Sequence, residues 1–281
     1  MADIEYDAFC RELGTVASGM MRVFGIRRSG QHAIIDWMLR NCGQKKSVFL
    51  NNRRVGQSPL RAGMLAAKKH DSTRNADALQ AKLARKLARG QKPFVLISYE
   101  SGFPVQRYPA GDVSPGFDNS DFDRDVLITR RFVNWLPSYI RLVQAQNADG
   151  APEGLDNFKK ISMEIEGYKA HLIAANSSPH VVISYDDWAE RPEYRRQKLA
   201  ALGLPEVDNG LGRVQPYGGG SSFSGLAKAP QVREIAARWK TLRDNAFAKP
   251  FLEIAVSDTE FVAALDARYP EDLKIIHDIL A

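Results

Sequence analysis

The sequence predicts a single α/β domain with a mainly parallel central sheet flanked by helices on both faces. Three observations carry this. Short apolar runs of strand length alternate with longer stretches of helical periodicity, the order that gives parallel strands joined by crossover helices. Residues 93–100 (Pro-Phe-Val-Leu-Ile-Ser-Tyr-Glu) are almost continuously apolar, as expected of a strand buried on both faces. The first strand candidate also opens into a Gly/Ser turn that leads straight into a helical pattern.

In chain order, residues 1–18 form an N-terminal extension before the first strand candidate, 21–26 (Met-Arg-Val-Phe-Gly-Ile). Ile34, Ile35, Met38 and Leu39 then recur at near-helical spacing. Residues 48–50 are a second short strand. Residues 76–89 read as a basic helix, with Leu79, Leu83 and Leu87 on one face and Lys82, Arg85, Lys86 and Arg89 making a solvated outer face. Residues 93–100 and 125–130 are further strands. The next helix turns Phe132, Trp135, Leu136, Tyr139, Ile140 and Val143 inward, and its successor carries a stripe of Phe158, Ile161, Ile165, Tyr168 and Leu172. Residues 181–185 are the last strand, followed by a helix over 193–202 that ends at Gly203 with Pro205 beyond. Residues 207–229 read as a mobile loop containing the low-complexity stretch 218–225 (Gly-Gly-Gly-Ser-Ser-Phe-Ser-Gly). Val232, Ile235, Trp239 and Leu242 mark another helix, and residues 230–281 finish the chain as helices. No internal repeat is visible.

At roughly 100–200 residues per domain, 281 residues allow one large domain or two small ones. Residues 207–229 are too short for an interdomain linker, which favours one. With 44% apolar and 26% charged residues, the composition excludes disorder, collagen and a disulfide scaffold. No apolar run approaches the ~18 residues of a membrane span. The acidic start, Met-Ala-Asp-Ile-Glu-Tyr-Asp, lacks the basic and apolar regions of a signal peptide, so a cytoplasmic location is expected. Cys10 and Cys42 are too few for a disulfide framework and wrongly spaced for zinc. The net charge of +6 points to an anionic partner. Basic and acidic residues are interspersed and no aromatic-rich RNA-binding motif occurs, so a phosphorylated small molecule is expected rather than nucleic acid. A monomer or homodimer is expected.

A strand, Gly-rich turn and helix in succession bind phosphate, because backbone N–H groups of the turn form an anion nest and the helix N-terminus adds partial positive charge. Here the turn reads Gly25-Ile26-Arg27-Arg28-Ser29-Gly30-Gln31-His32, with Ala33 following. The glycines have the G-x-x-x-x-G spacing of a nucleotide-binding P-loop. Gln31 and His32 replace the lysine and the hydroxyl residue that bridge phosphates and hold magnesium, so no metal is expected. Charge comes instead from Arg27 and Arg28, and arginine can bind an oxyanion bidentately.

These residues resemble the signature of sulfotransferases that use 3′-phosphoadenylyl sulfate (PAPS). Arg28-Ser29-Gly30-Gln31 looks like their (K/R)-S-G-(T/S) loop with Gln for Thr. Their second signature is an arginine ending the next central strand and a serine eight residues later. Arg130 and Ser138 reproduce it, with Asn134 and Arg141 on the same helical face as Ser138. The resemblance implies a P-loop-type sulfotransferase fold. It implies that residues 27–33 hold the 5′-phosphosulfate and that Arg130 and Ser138 hold the 3′-phosphate. Ile183-Ser-Tyr-Asp-Asp-Trp188, Pro192 and the stretch 199–205 are similar to a further family passage, which makes Tyr185 a candidate near the adenine or equally a core residue. Arg213, Ser221 and Ser222 sit where the family closes a loop over the 3′-phosphate.

The resemblance also implies PAPS as co-substrate and a small-molecule or carbohydrate acceptor. The catalytic base would be Glu100, in the place where relatives carry histidine or glutamate. Arg28 and His32 would assist at the sulfuryl group, His32 as a neutral hydrogen-bonding residue. His70 stays open as a contributor, whereas His171, His180 and His277 read as structural. Acceptor contacts are expected from residues 51–71 and 103–121. Two other readings stay open: a P-loop phosphotransferase with an unusual loop, and a nucleotide-binding protein without catalysis.

Overall fold

Five strands build the centre of the molecule: β1 (Gly19–Gly25), β2 (Ser47–Arg53), β3 (Phe94–Tyr99), β4 (Arg124–Thr129) and β5 (Val181–Ser184). Seen in a computed structural model that describes residues 2–43, 47–60, 84–85, 89–90, 92–100, 113–146, 154–212 and 235–281, they form one all-parallel sheet. Its order is β2-β3-β1-β4-β5. Parallel strands require crossovers, and the connecting helices cover both faces.

Period-two alternation divides β1 between two cores. Met20 and Phe24 face one side, with Val95 and Ile97 of β3 and Leu127 of β4. Met21 and Val23 face the other, with Leu96, Val126 and Ile128. The first face is covered by α1 (Ala2–Val16), through Phe9, Cys10 and Leu13. The N-terminal extension is thus a helix that closes the sheet. The second face is covered by α2 (Gln31–Arg40), which buries Ile34, Ile35, Trp37 and Met38. Helices α5 (Tyr185–Glu190) and α6 (Pro192–Leu202) join it there with Trp188 and Leu199.

A third core lies among α3 (Phe132–Gln146), α4 (Leu155–Ser177), α7 (Lys249–Ser257), α8 (Thr259–Arg268) and α9 (Pro270–Leu280). Its aromatic centre packs Phe132 edge-on against Phe261 at 5.1 Å and stacks Trp135 on Tyr139 at 5.3 Å. His171 is buried against it with Nε2 3.0 Å from the Ile128 carbonyl, and burial lowers its pKa to about 4.

Four expectations change. Residues 51–53 belong to β2, so the expected acceptor loop 51–71 starts later than the sequence suggested. In the other acceptor loop, Val113 and Phe117 are buried beside α1, because their apolar side chains fill the gap between that helix and the sheet. The start of the mobile loop 207–229 is pinned: Asn41 Oδ1 accepts from the Val207 and Asp208 N–H groups at 2.7 and 2.8 Å, and Arg40 pairs with Asp208. The helix expected around Trp239 contains a 3₁₀ helix, Arg238–Leu242. The basic helix 76–89, apart from residues 84, 85 and 89, lies outside the described residues.

Candidate functional site

Parallel strands present all their C-terminal ends at one edge, where open α/β sheets bind ligands. The register places Phe24 beside Tyr99, Arg53 beside Tyr99, Gly25 beside Ile128 and Thr129 beside Ser184. The residues that follow these positions therefore share one rim. They are the turn 26–30 after β1, Glu100 after β3, Arg130 after β4 and Tyr185 after β5. The sequence-predicted residues are brought together here.

The turn after β1 has two left-handed residues, Arg28 at φ 69° and Gly30 at φ 84°. Arg28 is strained, since a side chain at positive φ costs of the order of 1–3 kcal/mol. Two donors brace it: Arg130 Nη1 donates to the Arg28 carbonyl at 2.8 Å, and Trp135 Nε1 to the Arg27 carbonyl at 2.8 Å. The Ser29 N–H closes the turn on the Ile26 carbonyl and the Ala33 N–H bonds the Gly30 carbonyl, both at 3.1 Å, which leaves the N–H groups of Gly30, Gln31 and His32 at the helix N-terminus. Gly30 is also sterically required, because a Cβ there would collide with the Tyr185 ring.

Three guanidiniums converge beside this turn. Arg130 is 2% exposed, and its ring-facing side lies 5.2 Å from the Tyr185 centroid. Ser138 Oγ receives Arg238 Nη1 at 2.6 Å and Arg130 Nη1 at 3.4 Å. Burial, then the charge of Arg130, lowers the pKa of both Arg28 and Arg238. A guanidinium stays charged at neutral pH, so these are cations held out of water first and crowded by one another second. Arg130 Nε and Nη2, Ser29 Oγ and both polar atoms of the Gln31 amide are buried without a hydrogen-bond partner. Buried polar groups are normally paired; of these atoms the Arg130 nitrogens, the Ser29 hydroxyl and the Gln31 amide nitrogen Nε2 can donate, and Gln31 Oε1 can only accept.

A second shell holds the cluster in place. Asp186, 5% exposed, accepts from the Arg131 N–H at 2.7 Å and from Asn134 Nδ2 at 2.8 Å. Asn134 Oδ1 in turn accepts from the Trp239 N–H at 3.2 Å, which fixes the 3₁₀ helix bearing Arg238. Of the polar stripe predicted on α3, Asn134 and Ser138 thus face this network, whereas Arg141 is exposed. Tyr185 is 7% exposed and stacks on Trp188 at 5.8 Å, so its ring is a wall beneath the arginines.

On the β3 side of the turn, His32 Nε2 lies 3.6 Å from Glu100 Oε1 and 2.9 Å from Asn51 Oδ1. Glu164 on α4 is near enough to feel the charges of Arg27 and Glu100, and burial raises its pKa; Tyr139 donates to it at 3.4 Å. Glu100 and His32, each singled out in the sequence for its own reason, thus stand side by side. Arg238, Asn51 and Glu164 were not singled out. The only sequence signal for Arg238 was its place in an apolar pattern beside Trp239. His70, Arg213, Ser221 and Ser222 lie outside the described residues. Among the described residues no group of three or more His, Cys, Asp or Glu side chains is arranged to hold a metal ion, and no helix is long and apolar enough to cross a membrane.

No family model matches this chain, and no curated protein sequence matches it. What the fold and the site define is an α/β protein with a cationic cluster at the strand ends, several of whose buried polar atoms have no hydrogen-bond partner.

Proposed function

We propose that this protein is a sulfotransferase that moves a sulfuryl group from PAPS to a hydroxyl of a small-molecule or carbohydrate acceptor. The observation that carries the reading is the buried pair Arg130 and Arg238 on Ser138, with the half-buried Arg28 close enough to feel both charges and two Arg130 nitrogens without a hydrogen-bond partner. Like charges taken out of water are costly unless an anion meets them. A phosphate monoester dianion does so, with acceptor oxygens on several sides.

In this reading Arg130, Ser138 and Arg238 hold the 3′-phosphate. The backbone N–H groups of Gly30, Gln31 and His32, with the Ser29 hydroxyl and the Arg27 and Arg28 side chains, hold the 5′-phosphosulfate. Ser29 Oγ and Arg130 Nε and Nη2 are the buried atoms that such a ligand would satisfy. When bound, PAPS supplies an activated sulfuryl group. Glu100 accepts the proton of the acceptor hydroxyl, and His32 donates a hydrogen bond from Nε2. Tyr185 braces Arg130 and Gly30 from below.

The test is transfer of labelled sulfate from PAPS to a panel of hydroxyl acceptors, by the natural chain and by Arg238→Gln. Label transfer that the substitution lowers supports the assignment. No transfer from PAPS, with phosphoryl transfer from ATP to the same panel, would replace it with the phosphotransferase reading.

A further inference from the structure

We infer that Asn51 is a positioning residue that keeps a proton on His32 Nε2 and aims it, with Glu100 standing alongside. With the Asn51 amide oxygen toward His32 and Ser98, each hydrogen bond in the chain of contacts has one direction. The Asn52 backbone N–H lies 2.9 Å from Ser98 Oγ and can only donate, so the Ser98 hydroxyl accepts there. Its own proton then goes to Asn51 Oδ1 at 3.3 Å, an atom that can only accept. His32 Nε2 lies 2.9 Å from that same oxygen and must therefore carry a proton. Glu100 Oε1 lies 3.6 Å from Nε2, a charge beside that bond and not a second acceptor of it. A neutral imidazole protonated on Nε2 has Nδ1 as its acceptor.

The backbone is bent to make this relay. Period two along β2 puts Phe49 and Asn51 on the face covered by α2, and along β3 it puts Ser98 and Glu100 there too. Phe49 already meets the His32 ring edge-on at 6.4 Å. Between Leu50 and Arg53 the β2–β3 register slips, and Asn52 takes φ 47°. Asparagine tolerates this conformation better than most residues. The bulge delivers the Asn52 N–H to the Ser98 side chain instead of the ladder, and such bulges serve to re-aim side chains. Ser98 is fully buried, so its hydroxyl has a place in a core strand only because both of its bonds are made.

The tautomer does not depend on what the protein catalyses; only its consequence for turnover rests on the sulfotransferase reading. The test is nitrogen-15 NMR of the histidine-labelled full chain, with His32 assigned by His32→Gln. The natural chain should show a protonated Nε2 and a bare Nδ1 at mildly alkaline pH, with the Nε2 proton protected from exchange. Asn51→Leu should speed that exchange by about tenfold, the size of one hydrogen bond, and Asn51→Asp, which keeps the acceptor oxygen, should restore protection. A bare Nε2 in the natural chain, or unchanged protection in Asn51→Leu, would overturn the inference. Should Asn51→Leu not fold, Ser98→Ala probes the same relay from its other end, and the natural chain's tautomer alone decides the first point. In the transfer assay Asn51→Leu should lower kcat by about tenfold with KM for PAPS unchanged, in line with one hydrogen bond. If the natural chain transfers no sulfate, the sulfotransferase reading fails while the spectra still judge Asn51.

Discussion

Arg130→Ala separates a ligand-binding arginine from a structural one. In the free protein Arg130 gives one good hydrogen bond, from Nη1 to the Arg28 carbonyl at 2.8 Å, and leaves Nε and Nη2 unpartnered. Truncation loses that bond and leaves a cavity, but it also removes a buried charge that crowds Arg28 and Arg238. These effects oppose each other, so stability should change by no more than about 1–2 kcal/mol. With ligand the account differs. Two donors that would face a charged acceptor are worth about 1.5–3 kcal/mol each. Water entering the truncated site recovers part of this, which leaves a loss of about 2–4 kcal/mol, or roughly 30- to 900-fold in affinity. The assay is calorimetric titration with adenosine 3′,5′-bisphosphate (PAP) and with AMP, which lacks the 3′-phosphate. PAP should lose the full amount and AMP little. Equal losses for the two ligands, or a large fall in the unfolding midpoint, would show that Arg130 only supports the turn.

Glu100→Gln should keep PAP affinity, because the anion contacts come from β1, α3 and the 3₁₀ helix, while turnover in the labelled-sulfate assay falls by roughly 10²–10⁴-fold, the usual share of a positioned base. Sulfate transfer should persist in excess EDTA, since Gln31 and His32 stand where a magnesium-holding hydroxyl would be; abolition by EDTA and rescue by magnesium would refute this. Stability should fall on acidification because of His171: its folded pKa of about 4 lies below the unfolded value of about 6.5, so the unfolded chain takes up the proton first. That stabilisation is present above pH ~6.5 and is lost as pH falls toward about 4; from pH 7 to pH 5 the loss is about 2 kcal/mol. Urea unfolding at the two pH values should show that loss in the natural chain and its absence in His171→Gln.

The parts of the site that were legible in the sequence are those set by local geometry. Gly25 and Gly30 announce a turn, Arg130 and Ser138 are linked by two turns of one helix, and Glu100 ends an apolar strand. The parts that were not legible depend on contacts between distant residues. Arg238 reaches Ser138 across 100 residues, from a 3₁₀ helix whose apolar pattern marks Trp239 and Leu242 but says nothing of where the arginine before them goes. Asn51 looked like the start of a loop, because a bulge with one left-handed asparagine leaves no trace in hydrophobic alternation. The α1 helix was read as an extension because it precedes the first strand candidate, yet Phe9 and Leu13 close a face of the sheet. The buried pair Arg22–Asp125, 2.6 Å apart, was hidden inside runs read as plain strands; only the parallel register of β1 and β4 sets the two side by side.

The central claim, that the arginine cluster binds a 3′-phosphorylated nucleotide, is tested most directly by titrating the natural chain with PAP, AMP and ATP. The account predicts submicromolar PAP binding, with Kd roughly 30-fold or more weaker for AMP by the worth of the lost phosphate contacts, and weak ATP binding that magnesium does not improve. Magnesium-dependent ATP binding tighter than that of PAP, or equal affinity for PAP and AMP, would contradict it.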